Sequence, residues 1–350
     1  MTPTDRPRLA VRSPADLIAA VPYLLGFHPA DSVVVVALRG RRVIFAARGD
    51  LPEPGADPRP AARHLAGVIG RQGAESATVI GYGPAARVTG AVDAVGEALT
   101  VAGLLVLDAL RVTEGRWWSY LCAEPDCCPP DGTAYDPAAS EVSAAAVFAG
   151  QVALPDRAAL TAQVAPLDGP ARVAMRRATA RARRRLVALT EEAAETALAG
   201  GRSVRSAGVA AVRTALRRHR RGERLTDDEV AWLTVILTEL PVRDHAWERT
   251  DGRDPDISLW TDVLRRAEPE LIAAPGSLLA FAAWRAGQGA LAAVALERVL
   301  EVHPDYSLAM LLDDLLRRGL PPSELDGWPA VDGPNVVRRR SRRRISRRSI

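Results

Sequence analysis

Segments with the composition of β-strands are confined to the first 150 residues, and this asymmetry constrains the fold more than any other feature of the sequence. Residues 33–38 and 43–47 are rich in strand-forming residues, and the short Arg- and Gly-containing segment between them predicts a β-hairpin. Further strands are predicted at residues 77–80, 104–107 and 116–121. From about Asp156 onward, apolar residues recur only at helical spacing. The chain is therefore expected to join an α/β half to an all-α half.

Helical segments alternate with the predicted strands in the N-terminal half. Ser13 and Pro14 can cap and start a first helix, in which Pro22 predicts a kink or an early end. Apolar residues at helical spacing predict two more helices, around residues 61–69 and 88–99. The order helix, two strands, helix, strand, helix, two strands predicts a layered α/β domain with a mixed sheet, which we assign to residues 1–150.

Residues 151–330 are predicted to form an all-α domain. Its expected helices are at 171–199, at 204–221, after a capping box at 226–229, and three or four more between 256 and 318. Ala280, Ala283, Gly287 and Ala292 have the spacing of a tetratricopeptide repeat, although an ordinary helical hairpin explains them equally well. Either arrangement suggests a surface through which the helical domain docks a protein partner.

The basic charge of the chain comes from its C-terminal end. The sequence contains no lysine, and eight arginines lie in residues 336–350, which leaves 38 arginines against 42 acidic residues elsewhere. Residues 331–350 are therefore predicted to be a disordered Arg-rich tail that binds polyanions weakly and in a salt-dependent way. The arginines within 172–185 and 213–224 indicate solvated helices with acidic neighbours, with a phosphate-binding face as the alternative.

Six short segments, forming four motifs in chain order, resemble one protein family. They are 13–17 (SPADL) leading to 26–34 (GFHPADSVV), 118–122 (WSYLC) leading to 127–133 (CCPPDGT), 242–247 (VRDHAW) and 279–292 (LAFAAWRAGQGALA). The chain resembles the domain of unknown function 4192 (DUF4192), a family of high-GC Gram-positive bacteria, over residues 9–328. That family has no established activity, so the resemblance implies no substrate and no catalytic residue. The Arg-rich tail is not part of the family pattern.

The three cysteines of the sequence, Cys122, Cys127 and Cys128, fall within seven residues and suggest metal or redox chemistry. The spacing matches no zinc ribbon, and a closed zinc site needs a fourth ligand. That ligand would have to be one of the five histidines, none of which lies in this segment, or Glu124, Asp126 or Asp131. On an extended chain the adjacent Cys127 and Cys128 would point apart. A packed thiol cluster or a labile disulfide is therefore the alternative to a metal site.

A glycine-containing turn offers a second candidate site. Gly81 and Gly83 follow a predicted strand and precede a predicted helix, as in dinucleotide-binding folds, and Asp108 ends the next strand, where such folds place a ribose-binding acid. Pro84 removes one backbone N–H that would hold a phosphate. An ordinary strand-to-helix turn also uses glycine, so the nucleotide site stays one of two interpretations.

No sequence motif assigns a reaction. There is no G-x-S-x-G, no H-E-x-x-H and no P-loop lysine, and the five histidines are scattered. No stretch approaches the roughly 20 apolar residues of a membrane span. The N-terminus lacks the apolar core of a secretory signal, so a cytoplasmic location is expected. We therefore expect a non-enzymatic interaction or regulatory protein of unknown function, with a nucleotide-binding protein or enzyme, or a thiol or zinc sensor, as the alternatives.

Overall fold

The N-terminal half contains a six-stranded mixed sheet. The computed structural model describes residues 11–195 and 200–325. The strands are β1 (Ser32–Arg39), β2 (Arg42–Asp50), β3 (Ser76–Tyr82), β4 (Leu105–Thr113), β5 (Arg116–Ser119) and β6 (Thr133–Ala134). They lie in the order β2-β1-β3-β4-β5-β6, with only β3 and β4 parallel. The predicted hairpin and mixed sheet are confirmed, whereas the two-residue β6 is too short to give a periodic signal.

Helices cover both faces of this sheet. Helix α1 (Pro14–Leu25) packs on one face, and α2 (Arg59–Arg71) and α3 (Ala85–Val101) pack on the other. The valines of β1 supply both cores because successive side chains of a strand point to opposite faces.

Helix α1 starts as predicted, with the Ser13 hydroxyl accepting a hydrogen bond from the Asp16 N–H at 3.2 Å. The expected early end at Pro22 is wrong, because the helix runs to Leu25 and stops at Gly26, which has a left-handed backbone. Pro22 removes only one helical hydrogen bond, and burial of α1 on the sheet outweighs that loss.

The rest of the described chain is largely helical. The helices are α4 (Glu141–Phe148), α5 (Arg157–Val164), α6 (Gly169–Glu195), α7 (Gly200–His219), α8 (Asp227–Ile236), α9 (Leu240–Arg249), α10 (Asp254–Arg266), α11 (Ala273–Arg285), α12 (Gly289–Val302) and α13 (Ser307–Arg317). The capping box is present, with Thr226 and Glu229 exchanging hydrogen bonds at the start of α8. Among the described residues, no helix is both long and apolar enough to cross a bilayer.

One large apolar core joins the helices of the C-terminal half. Trp260 is completely buried at its centre, and its indole Nε1–H donates to Thr250 Oγ1 at 2.9 Å. Helices α11 and α12 form a tight hairpin. Their close approach requires glycine at position 276, because a Cβ atom there would overlap the Val299 side chain. The hairpin is where the sequence places it, and its assignment to a tetratricopeptide repeat stays a prediction.

The two halves share contacts. Phe27 follows α1 but packs into the helical core, and the neighbouring His28 N–H donates to the Leu154 carbonyl at 2.9 Å. Arg71 of α2 donates to the Arg318 carbonyl at 2.7 Å. A domain boundary near residue 150 stays a prediction. The Arg-rich tail and its predicted polyanion binding lie outside the described residues.

Candidate metal centre

The segment that connects β5 to β6, residues 120–132, carries all three cysteines. We call it the thiol loop. It leaves the sheet after Ser119 and returns at Thr133, so both of its ends are attached to the same edge of the sheet.

A polar contact with β4 fixes the start of the thiol loop. The Ser119 hydroxyl donates to Asp108 Oδ1 at 2.7 Å. The same hydroxyl oxygen accepts the N–H groups of Leu121 and Cys122, both at 3.1 Å. Asp108 therefore orients the Ser119 hydroxyl. That hydroxyl fixes the backbone at Leu121 and Cys122, so Cys122 has a defined position in the loop.

An aromatic contact fixes the end of the thiol loop. The Arg111 guanidinium lies 3.7 Å from the ring centroid of Trp118, a cation–π contact. The Trp118 indole N–H donates to the Pro130 carbonyl at 3.0 Å. Gly132 has φ +76° and lies so close to the Trp118 ring that a Cβ atom would overlap it. Glycine is therefore required here both by the backbone conformation and by the close approach.

A turn inside the loop brings the thiols together. The N–H groups of Cys127 and Cys128 both donate to the Glu124 carbonyl, at 3.1 and 2.7 Å. The backbone is therefore not extended at these residues, and the expectation that Cys127 and Cys128 point apart is wrong. The three Sγ atoms of Cys122, Cys127 and Cys128 all lie within 4.8 Å of one another. Cys127 is exposed, whereas Cys122 and Cys128 are half-buried.

The thiols differ in acidity because they share hydrogen bonds. Hydrogen bonds from Cys128 and from the backbone at Glu124 lower the pKa of Cys122. The same contact with Cys122, together with burial, raises the pKa of Cys128 to about 12. Cys122 therefore loses its proton before Cys128, whose S–H group stabilises the Cys122 thiolate.

The glycine-containing turn before α3 has a packing explanation. Gly81 faces α3 so closely that a Cβ atom would lie 2.7 Å from Val92 Cγ2. Gly83 has φ +143°, and its N–H donates to the Val112 carbonyl at 2.9 Å, so this group is used within the sheet. The structure does not bring Asp108 to this turn. Asp108 lies two residues before Leu110, on the sheet face that packs against α1, opposite to the face of Gly81.

Comparison with known proteins places the chain in a family. The sequence profile described as domain of unknown function (DUF4192) matches residues 14–323. The chain belongs to the DUF4192 family. The search of curated proteins and the search of solved structures each found no match. The thiol loop and the glycine-containing turn both lie within the DUF4192 match, which assigns no function to either.

Three residues that support the thiol loop of this DUF4192 protein escape sequence reasoning. Arg111, Ser119 and Gly132 carry no metal-binding or catalytic motif; strand pairing places Arg111 and Ser119 beside the loop, and the contact of Gly132 with Trp118 lies at its end. Trp118, Ser119 and Gly132 do fall within one of the family motifs, and that clustering is the one signal in the sequence.

We expect iodoacetamide to modify Cys122 faster than Cys128 at pH 7–8, because a lowered pKa increases the thiolate fraction. Residues 117–157 form a single tryptic peptide, so fragment-ion mass spectrometry must locate the modified cysteine. Cys128→Ala removes the main cause of the lowered pKa and should slow modification of Cys122. Equal rates for Cys122 and Cys128 would contradict the hydrogen-bond arrangement described above.

Proposed function

We propose that this DUF4192 protein is a non-enzymatic regulatory protein that binds a thiophilic metal ion, with zinc as the reference case, through Cys122, Cys127 and Cys128. The observation that carries the proposal is the convergence of three Sγ atoms within 4.8 Å. Zinc–sulfur bonds of about 2.3 Å in a tetrahedral site separate the sulfur atoms by about 3.8 Å. The cluster would therefore contract by at most about 1 Å around a bound ion.

The chemistry of the donors supports a soft or borderline metal ion. Thiolate ligands favour zinc and copper(I) over magnesium or calcium. The raised pKa of Cys128 means that the metal ion must displace its proton, so the affinity should fall as the pH is lowered. Among the described residues, no histidine or carboxylate joins the three thiols at the same distance. The exposed side of the cluster at Cys127 would leave the fourth position to water or to a ligand supplied by a partner.

The attachment of the thiol loop suggests how metal binding would act. Three thiolates bound to one ion would fix the middle of a segment whose two ends are already held through Asp108 and Trp118. Metal occupancy would then set the shape of the surface that this loop presents. We place this regulatory site in the cytoplasm, where thiols stay reduced.

A protein partner bound through the helical half is the second part of the proposal. Val302 at the end of α12 and Met310 and Leu311 on α13 are partly exposed apolar side chains, 45–51% accessible. Apolar groups of this kind at neighbouring helices support a docking surface there.

Zinc titration of the reduced full-length chain in competition with a chromophoric chelator tests the metal site. We expect one equivalent of zinc per chain, none in the Cys122→Ser/Cys127→Ser/Cys128→Ser variant, and one in the control His64→Gln, which removes an exposed histidine on α2. Zinc uptake by the triple serine variant would overturn the proposal. If the reduced chain takes up no zinc and its cysteines form a disulfide once the reductant is removed, the redox alternative would be favoured.

A further inference from the structure

Arginines gather between the C-terminal ends of α7 and α9. The exposed Arg213 and Arg217 lie four residues apart on α7, and the exposed Arg220 directly follows its last residue, so the three recur along one side. Together with Leu216 and with Arg249 from the last turn of α9, they line a cavity of about 130 Å³. We call this the arginine cavity.

Among the carboxylates of the described residues, one neutralises a side chain of the arginine cavity. Arg220 donates to both oxygens of the buried Asp256, at 2.8 and 2.9 Å. Arg213, Arg217 and Arg249 form no ion pair within the part of the chain that the structure describes. The contact of Arg217 is with the Thr214 hydroxyl, at 3.4 Å.

Some arginines elsewhere in the helical half have acidic partners: Arg181 pairs with Asp228, Arg183 with Glu270, and Arg266 with Asp227. Others among the described residues, such as Arg176 and Arg177, have none, so the arginine cavity is distinguished by the gathering of four arginines around one recess. Like charges four residues apart on a helix destabilise it. Arg213 and Arg217 therefore repel each other, and an anion in the recess would relieve that repulsion.

The helix dipole does not explain the full set. Cations in the last turn of a helix are stabilised by its negative end, which accounts for Arg217 and Arg249. Arg213 lies more than one turn before the end of α7 and gains little from that effect. The neighbouring His245 has a buried Nε2 atom without a hydrogen-bond partner, and its pKa is lowered by burial and by the charges of Arg249 and Arg213. The positive field of the arginines thus reaches a second group on α9.

We propose that the arginine cavity binds the phosphate group of a small phosphorylated molecule, such as a phosphomonoester or the terminal phosphate of a nucleotide. A guanidinium presents two parallel N–H donors that match two oxygens of a phosphate, and several guanidinium groups can bind one such group from different sides. The arginines surround one recess of limited volume. This shape suits a single phosphate better than the continuous backbone of a nucleic acid, which needs an extended basic track.

Isothermal titration calorimetry on the full-length chain at constant ionic strength tests the proposal, with inorganic phosphate, pyrophosphate, a nucleoside 5′-diphosphate and a single-stranded oligonucleotide as the probes. The test variant is Arg213→Gln/Arg249→Gln, and the matched control is Arg176→Gln/Arg177→Gln, which removes two exposed arginines of α6. Binding to the Arg-rich C-terminal segment is common to all three proteins, so only the difference between variants reports on the cavity.

We expect the test variant to weaken binding of pyrophosphate by about tenfold or more, because charge-assisted hydrogen bonds are lost, and the control to bind as the unmodified chain does. If the test variant also binds the nucleoside diphosphate more weakly, the ligand is a nucleotide. If only the binding of phosphate and pyrophosphate is weakened, the ligand is a simple phosphate. Equal binding of all probes by the test variant and the control would overturn the proposal. A loss confined to the oligonucleotide would overturn it in favour of a nucleic-acid backbone.

Discussion

Replacing Trp260 by alanine is expected to lower the free energy of unfolding by about 3–5 kcal/mol. The Trp260 side chain is fully buried in the helical core, so the truncation removes a large apolar surface and leaves a cavity. It also removes the indole N–H that donates to Thr250 Oγ1, although that hydroxyl still donates to the Ala246 carbonyl.

Urea denaturation followed by far-UV circular dichroism measures this effect. Trp260→Phe keeps most of the apolar volume and should lose less stability than Trp260→Ala, which separates packing from the hydrogen bond. Val173→Ala, at a position that is 43% exposed on α6, is the control and should change stability by no more than about 0.5 kcal/mol. A loss below about 1 kcal/mol for Trp260→Ala would show that Trp260 is not at the centre of a packed core.

Replacing Asp256 by alanine is expected to cost about 3 kcal/mol, because breaking a buried ion pair leaves its partner uncompensated. The Asp256 carboxylate is completely buried, accepts two hydrogen bonds from Arg220 and accepts the Asp251 N–H at 3.0 Å. Arg220 is 36% exposed, so water can partly replace the lost partner, which keeps the cost at the lower end of the range for buried pairs.

The matched control for Asp256→Ala is Asp254→Ala in the same helix. Asp254 is exposed in the first turn of α10, so its loss removes only a favourable interaction with the helix N-terminus, worth a few tenths of a kcal/mol. Thermal unfolding of the two variants should therefore differ clearly. Equal melting temperatures would contradict the structural role assigned to Asp256.

Local signals in the sequence predict most of the elements of the fold. The valines of β1, the Ser13 cap of α1 and the capping box of Thr226 each act through neighbouring residues, so they can be read directly. Helix α9 gives no such signal because only Val242 and Ala246 of its residues are buried, and its polar remainder resembles a loop. Strand β6 exists only because β5 pairs with it.

The candidate site depends on contacts that sequence spacing does not contain. The three cysteines are visible in the sequence, but their convergence follows from a turn in which two N–H groups share the Glu124 carbonyl. Asp108 has the sequence position of a ribose-binding acid, whereas strand alternation turns it towards Ser119. The arginines at the end of α7 read as a solvated face, and only the approach of α9 brings Arg249 to the same recess.

X-ray absorption at the zinc K-edge of the zinc-loaded chain tests the metal centre most directly. Coordination by Cys122, Cys127 and Cys128 predicts three sulfur neighbours at about 2.3 Å and one oxygen or nitrogen neighbour at about 2.0 Å. A first shell made of oxygen and nitrogen alone, or of fewer than three sulfur atoms, would contradict it.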